Sequence, residues 1–244
     1  MATVPQLLQE CSDAMKEAAN FLFLSRNPKL QKEQYDKLIA LKVRIKGFKR
    51  GAIKAGEERA ANALFHMQCA LNSHASFLKM WVFVRAKNFH KAWDALMDAE
   101  EYLAIAEQAF DSGMELGPLM EHFKKVEHVV FPGFGVYNSW GAVIRGGKCT
   151  ICAKPFHECE HIEWKIYWGQ MCVRVHPEIV ATDHWALVTD PKDRRCILTE
   201  LSTDDGFIRD YLTWKILRKA DPQPDGTIGQ LRGVMFNNNL IEVD

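Results

Sequence analysis

A chain of 244 residues with a 48% hydrophobic share can bury one sizeable core or two smaller ones, which excludes a disordered polypeptide. Thirty-one basic residues balance thirty-one acidic ones, so whole-chain charge argues for neither a nucleic-acid nor a membrane partner. No run reaches about 18 apolar residues and the N-terminus is polar and amphipathic, so neither a membrane span nor an export signal is expected and the predicted location is cytoplasmic.

Residues 3–24 read as the first helix. Thr3 can cap it, Pro5 lies in its first turn, and Leu7, Leu8, Cys11, Met15, Ala18, Phe21 and Leu22 recur at helical spacing before Asn27-Pro28 ends it. A second helix is predicted from Lys29 to Lys54. A third runs from Glu57 to Lys87, with Ala60, Leu64, Met67, Leu71, His74, Leu78 and Trp81 as one stripe. The fourth spans Phe89 to Phe110, and its face of Ala92, Ala95, Ala99, Ala106 and Ala109 permits close helix approach. No second copy of any segment recurs at a fixed period, so residues 1–130 are expected to form a helical bundle domain rather than a repeat array.

Within the second helix Lys42, Arg44, Lys46, Lys49, Arg50 and Lys54 follow one another with no acid between Asp36 and Glu57. Such a segment can grip phosphates, which makes nucleic acid a candidate partner, but a solvated helix face has the same composition. Gly47, Gly51 and Gly56 fit no phosphate-loop or dinucleotide pattern. His66, His74, His90, His122 and His128 are scattered, with no H-E-x-x-H pair, and read as interior or surface histidines.

At Phe131-Pro132-Gly133-Phe134-Gly135 helical periodicity stops, and β-branched and aromatic residues take over, so residues 131–244 are expected to form a separate β-rich domain. Short strands are predicted at Val173–Val175, Trp185–Thr189, Arg195–Leu201, Tyr211–Leu217 and Leu231–Phe236, with Asp190-Pro191-Lys192-Asp193 as a hairpin turn and residues 221–226 as a loop. The predicted fold class is α+β, a helical bundle followed by a small zinc-stabilised β-rich domain. Trp140, Trp164, Trp168, Trp185 and Trp214 all lie in this half, where bulky aromatics can supply core that a metal partly replaces. An exposed pair among them would instead point to a partner.

The most specific signal sits between Cys149 and Cys172. Cys149 and Cys152 have C-x2-C spacing, so a turn lets two thiolates reach one ion, and Cys159 and His161, two apart, are expected on one side of an extended segment. These four residues are the predicted metal ligands, with Zn2+ as the ion, because thiolates and imidazole suit zinc and four protein ligands leave no open position for chemistry. His157 and Cys172 lie close enough in sequence to replace one of the four. A disulfide framework is disfavoured by the odd number of cysteines, seven, and by the chain's length. Ile166-Tyr167-Trp168 are expected to cover one side of the site.

The stretch Lys148–Cys172 resembles a C-x2-C-x6-C-x-H module of uncharacterised bacterial and phage-associated proteins, where a strand and hairpin follow; the counterpart here is His184 to Asp193. That strand-turn pattern also resembles one near the end of phage prohead proteases, although no catalytic serine segment precedes it. The resemblance implies a zinc module and a bacterial or phage origin, and it transfers no activity. Glu160-His161-Ile162 is similar to the core of HNH-type nucleases, which implies His161 as a general base beside a divalent ion. Against it, Val175 stands where a second downstream cysteine belongs, the interval from His161 to Cys172 is short, and no asparagine follows at the middle position. The reading that results is a non-enzymatic, zinc-stabilised binding or assembly protein that engages a protein partner or itself. The alternatives are an HNH-like nuclease and a degenerate prohead-protease-like assembly factor.

Overall fold

The computed structural model describes residues 3–110, 113, 115–131, 133 and 136–220, with the backbone of 229–231. Helix α1 (Val4–Ala19) opens with a capping box in which Gln6 N donates to Thr3 Oγ1 and Thr3 N donates to Gln6 Oε1. It stops five residues short of the expected Leu24, because the Asn20 side chain donates to the carbonyls of Lys16 and Glu17 and closes the last turn. Helix α2 (Pro28–Ala55) starts where Asn27 Oδ1 accepts from Lys29 N and ends at Gly56, whose φ of 72° is the left-handed conformation of a helix C-cap.

Helix α3 (Glu58–Arg85) is buried on nearly every side, making it the central rod of the bundle. Helix α4 (Phe89–Ala109) lies against it through the alanine face. The approach is close enough for α3 side chains to meet the α4 backbone: Ser73 Oγ donates to Ala99 O at 2.7 Å, and His66 Nδ1 lies 2.7 Å from Ala106 O. A fifth helix, α5 (Gly117–Val130), was not anticipated; its Phe123 stacks on Phe77 of α3 at 4.3 Å.

Beyond residue 136 the chain is β-rich. Strands β1 (Tyr137–Arg145) and β6 (Glu178–Val188) form a long antiparallel ribbon. Between them lie β2 (Lys148–Cys149) paired with β5 (Arg174–Val175), and the hairpin β3 (Ile166–Tyr167)–β4 (Gln170–Met171). A four-stranded sheet in the order β10-β7-β8-β9 contains β7 (Leu198–Ser202), β8 (Phe207–Asp210), β9 (Ile216–Lys219) and β10 (Gly229–Leu231). The α+β class and the succession of bundle and β-rich region are as expected. Of the remaining calls, residues 221–226 and the strand beyond Leu231 lie outside the described residues, as does most of the Phe131–Gly135 boundary.

Residues 190–193 do not form a hairpin turn, since β6 and β7 belong to different sheets. The helices pull the chain away. Arg195, next to the turn, donates to Asp98 and Glu101 of α4, each at 2.6 Å, and Arg194 pairs with Glu100 and Glu127. Trp93 Nε1 donates to Arg194 O at 2.8 Å. The hydrophobic core therefore runs on past residue 130: Tyr137, Met171, Val173, Ile197 and Leu212 are buried in one cluster with the helices. The change of secondary structure near 130 does not interrupt that cluster.

The β3–β4 hairpin is the deepest link between the regions. Trp168 and Gly169 have φ of 52° and 66°, the double left-handed turn that a two-residue hairpin needs. Lys49, only 1% exposed, donates from Nζ to Gly169 O at 3.0 Å, while Gly169 N donates to Asn62 Oδ1 at 2.7 Å. A Cβ at Gly169 would stand 2.6 Å from Ala61 O, so glycine is required for this approach.

Candidate metal centre

The chain leaves β2 at Cys149 and turns back at once. Ala153 N donates to Cys149 O at 2.9 Å with Ala153 in the left-handed region (φ 57°), and Ile151 N donates to Cys149 Sγ at 3.3 Å. This turn swings Cys152 back toward Cys149. A 3-10 turn at Phe156–Glu158 follows, and His161 N donates to Cys159 Sγ at 3.2 Å, which folds Cys159 and His161 onto one point. Cys159 itself is extended (φ −91°, ψ 135°), as the two-residue spacing suggested, although residues 159–161 pair in no strand; the 3-10 turn before it is closed by Glu158 N and Cys159 N donating to Pro155 O and Phe156 O.

The four predicted residues converge. The Sγ atoms of Cys149, Cys152 and Cys159 and a ring nitrogen of His161 all lie within 4.8 Å of one another, a group able to hold a metal ion. Cys152 and Cys159 Sγ are 3.6 Å apart, Cys159 Sγ and His161 Nδ1 3.3 Å, and Cys149 Sγ and His161 Nδ1 3.9 Å. A tetrahedron with metal–sulfur bonds of about 2.3 Å has edges of about 3.8 Å, so these separations are those of ligands around one ion. The His161 ring is held by Tyr167, edge to face at 4.7 Å, and Tyr167 Oη accepts from Ile162 N. Tyr167 covers the site as expected. Trp168 donates its backbone N–H to Glu58 Oε1 of α3 at 3.3 Å.

The two alternative ligands separate clearly. His157 is 73% exposed and stands beside Glu158, away from the cluster. Cys172 is fully buried with Sγ 3.7 Å from Cys149 Sγ, yet it is outside the group of four. Burial opposes ionisation of Cys149, but backbone N–H groups of Cys152 and Ile151 and the thiols of Cys159 and Cys172 outweigh it and hold its thiol down at about 7. Burial pushes Cys159 up to about 11 and Cys172 up to about 12, and proximity to Cys149 adds to both. One negative charge is accommodated readily; further thiolates call for a cation.

Other sequence candidates are absorbed by the fold. Lys49 points into the interior and Arg44 pairs with Glu10, so the six basic residues of α2 do not share one open face. Buried His74 is held to Ala70 O, His90 to Asp210, and His122 to Leu22 O. Asn62 and Gly169 were not singled out in the sequence. Lys49 was named only within the basic run, although its place in the row Leu38, Leu41, Ile45 and Ala52 of α2 marks it as interior.

The tryptophans depart from the expected core role. Trp164, Trp168, Trp185 and Trp214 are 46%, 37%, 57% and 53% exposed. Trp164, Trp168 and Trp214 also have positive φ (68°, 52° and 58°), a conformation that costs a residue with Cβ about 1 kcal/mol. On the ribbon, Trp140 faces Trp185, Ile144 faces Ile179 and Asn138 faces Leu187, giving one face rich in large apolar groups. Trp185, Leu187, Ile144 and Ile179 are all exposed on it. No helix among the described residues is long and apolar enough to cross a membrane. No protein-family model, curated protein or solved structure matches this chain.

Proposed function

We propose that this chain is a zinc-stabilised binding or assembly protein in which one structural Zn2+ is held by Cys149, Cys152, Cys159 and His161. The observation that carries the metal assignment is the convergence of these four donors, drawn from 13 consecutive residues, at tetrahedral separations. Three thiols and one imidazole suit zinc, and four protein ligands leave the ion no open position for a substrate or reactive water. That arrangement supports a structural role. The binding half of the reading rests on the exposed tryptophans and on the apolar ribbon face, which favour a protein partner or a second copy over nucleic acid.

The nuclease alternative fits less well. A general base needs a ring nitrogen free to face substrate, whereas His161 Nδ1 lies 3.3 Å from Cys159 Sγ and its ring packs on Tyr167. Elemental analysis of the purified chain tests the proposal: one zinc per chain is expected, Cys149→Ser should lose it, and His161→Cys should keep it because a thiolate can replace the imidazole. Undiminished zinc in Cys149→Ser would refute the ligand set. Metal-dependent nicking of plasmid DNA by wild type, absent from His161→Cys, would overturn the non-enzymatic reading.

A further inference from the structure

We propose that the metal centre doubles as a redox-responsive fastener, in which peroxide converts its three cysteines and the adjacent Cys172 into the disulfides Cys152–Cys159 and Cys149–Cys172 and expels the metal. This rests on the zinc reading above. Its starting point is Cys172, a thiol beyond the ligand quartet that is 0% exposed and yet meets a ligand sulfur, Cys149 Sγ, at 3.7 Å. The four cysteines fall into two pairs of different character. Cys152 and Cys159, 3.6 Å apart, are both half-buried and open to a small oxidant. Cys149 and Cys172 are both buried.

A disulfide is about 2.05 Å long, so each pair closes by an approach of roughly 1.6 Å, within reach of side-chain rotation in turns. In the first step a thiolate of the exposed pair attacks the peroxide, breaking the O–O bond and giving a sulfenic acid and hydroxide. The neighbouring thiolate then attacks that sulfur, forms the S–S bond and releases a second hydroxide. Over the step, two thiolates, one hydrogen peroxide and two protons give one disulfide and two waters; the sulfurs are oxidised and the peroxide reduced. Cys149 and His161 alone remain on the ion, which leaves as the aqua cation. Cys149, released from the metal, is then free to pair with Cys172, consuming a second peroxide in the same way.

The second disulfide gives Cys172 its role. It would tie β2 to the segment that already pairs with it through Thr150 N and Val173 O, and so replace the ion as the fastener of the module. Were Cys172 merely a small buried apolar residue, it would stay reduced.

Zinc-loaded full-length protein should be titrated with hydrogen peroxide, with released zinc read by a chromogenic chelator and disulfides mapped by peptide mass spectrometry after alkylation. Cys152–Cys159 is expected first, together with loss of one zinc per chain, then Cys149–Cys172, while buried Cys11 and Cys69 remain alkylatable after denaturation. Cys172→Ser should release zinc as wild type does but stop at one disulfide. Reduced Cys172 in fully oxidised wild type, or a Cys149–Cys152 pairing, would overturn the proposal. If the purified chain holds no zinc, the zinc reading fails on its own, and the same mapping on the metal-free chain still decides the pairing.

Discussion

Replacing Gly169 by alanine tests whether the module that carries the Cys/His cluster is seated on the helices. The left-handed backbone there (φ 66°) should cost an alanine about 1 kcal/mol whatever surrounds it. The new Cβ would also stand 2.6 Å from Ala61 O, so the hairpin tip must retreat from α3. Retreat weakens the bond to Asn62, worth about 1 kcal/mol, and the charged bond from buried Lys49, worth about 1.5–3 kcal/mol. A loss of about 3 kcal/mol or more follows. Gly206 provides the control: its φ is 78°, and nothing lies within 4 Å of a built Cβ, so Gly206→Ala should lose only the strain, about 1 kcal/mol. Urea unfolding of both variants with zinc present, followed by circular dichroism at 222 nm, measures the difference. At roughly 2–4 °C per kcal/mol, the two variants should also differ by about 4–8 °C in Tm. Equal losses in the two variants would refute the docking of the hairpin on α2 and α3.

Other perturbations probe the same structure from different sides. Arg195→Met removes a buried guanidinium from between Asp98, Glu101 and Asp193 and should lose about 3–5 kcal/mol in urea unfolding, with the loss shrinking at acid pH as the stranded carboxylates take up protons; a loss below about 1 kcal/mol would refute its role as a latch. Burial lowers His74 to about 4, while unfolded histidine titrates near 6.5, so its contribution is present above pH 6.5 and is lost as pH falls through 4, by roughly 3 kcal/mol. His74→Leu should flatten that acid arm, and an unchanged pH profile would count against a neutral buried imidazole. Glu100 shows the opposite sign: burial raises it to about 7 against relief from Arg194, so stability falls as pH rises from 4.5 to 7, and Glu100→Gln should abolish that fall. A fragment of residues 1–130 is expected to keep its helical circular dichroism without zinc but to unfold less cooperatively than the full chain, since Met171, Val173 and Ile197 no longer cover its core; an unfolding midpoint equal to that of the full chain would establish two independent domains.

The helices were legible because their signal is local. Thr3 with Gln6, Asn27 before Pro28, and Gly56 after Ala55 mark ends through hydrogen bonds that span only a few residues. Helix α5 was overlooked although Leu119, Met120, Phe123, Val126 and Val130 recur at helical spacing; only Phe123 is fully buried, stacked on Phe77 46 residues earlier, while the rest of the stripe is half-covered. The false hairpin at residues 190–193 failed for the same reason in reverse. Asp-Pro-Lys-Asp has turn chemistry, but Arg194 and Arg195 answer to carboxylates on α4, 94 to 97 residues back, and on α5, 67 back. Propensity cannot weigh a partner that it does not contain.

The metal centre follows the same rule with the opposite result. Its four donors fall within 13 residues, so their spacing alone closely restricts the distances between them, and the extended backbone at Cys159 lets His161 meet it without strand pairing. Whether a donor such as Cys172 or His157 belongs was not legible, since that depends on which side of the turn each faces. The tryptophans were misjudged more instructively. Composition favours burying them, but Trp168 and Trp214 occupy turn positions where glycine or asparagine would relieve the backbone, and the chain accepts that strain while leaving the rings in water. Among the described residues the Trp164 ring meets only the Lys192 ammonium, at 5.1 Å, and the Trp214 ring the Arg209 guanidinium, at 5.8 Å, contacts that leave both residues exposed. Labelling or mutating Trp164, Trp168, Trp185 and Trp214 therefore tests the partner surface proposed above.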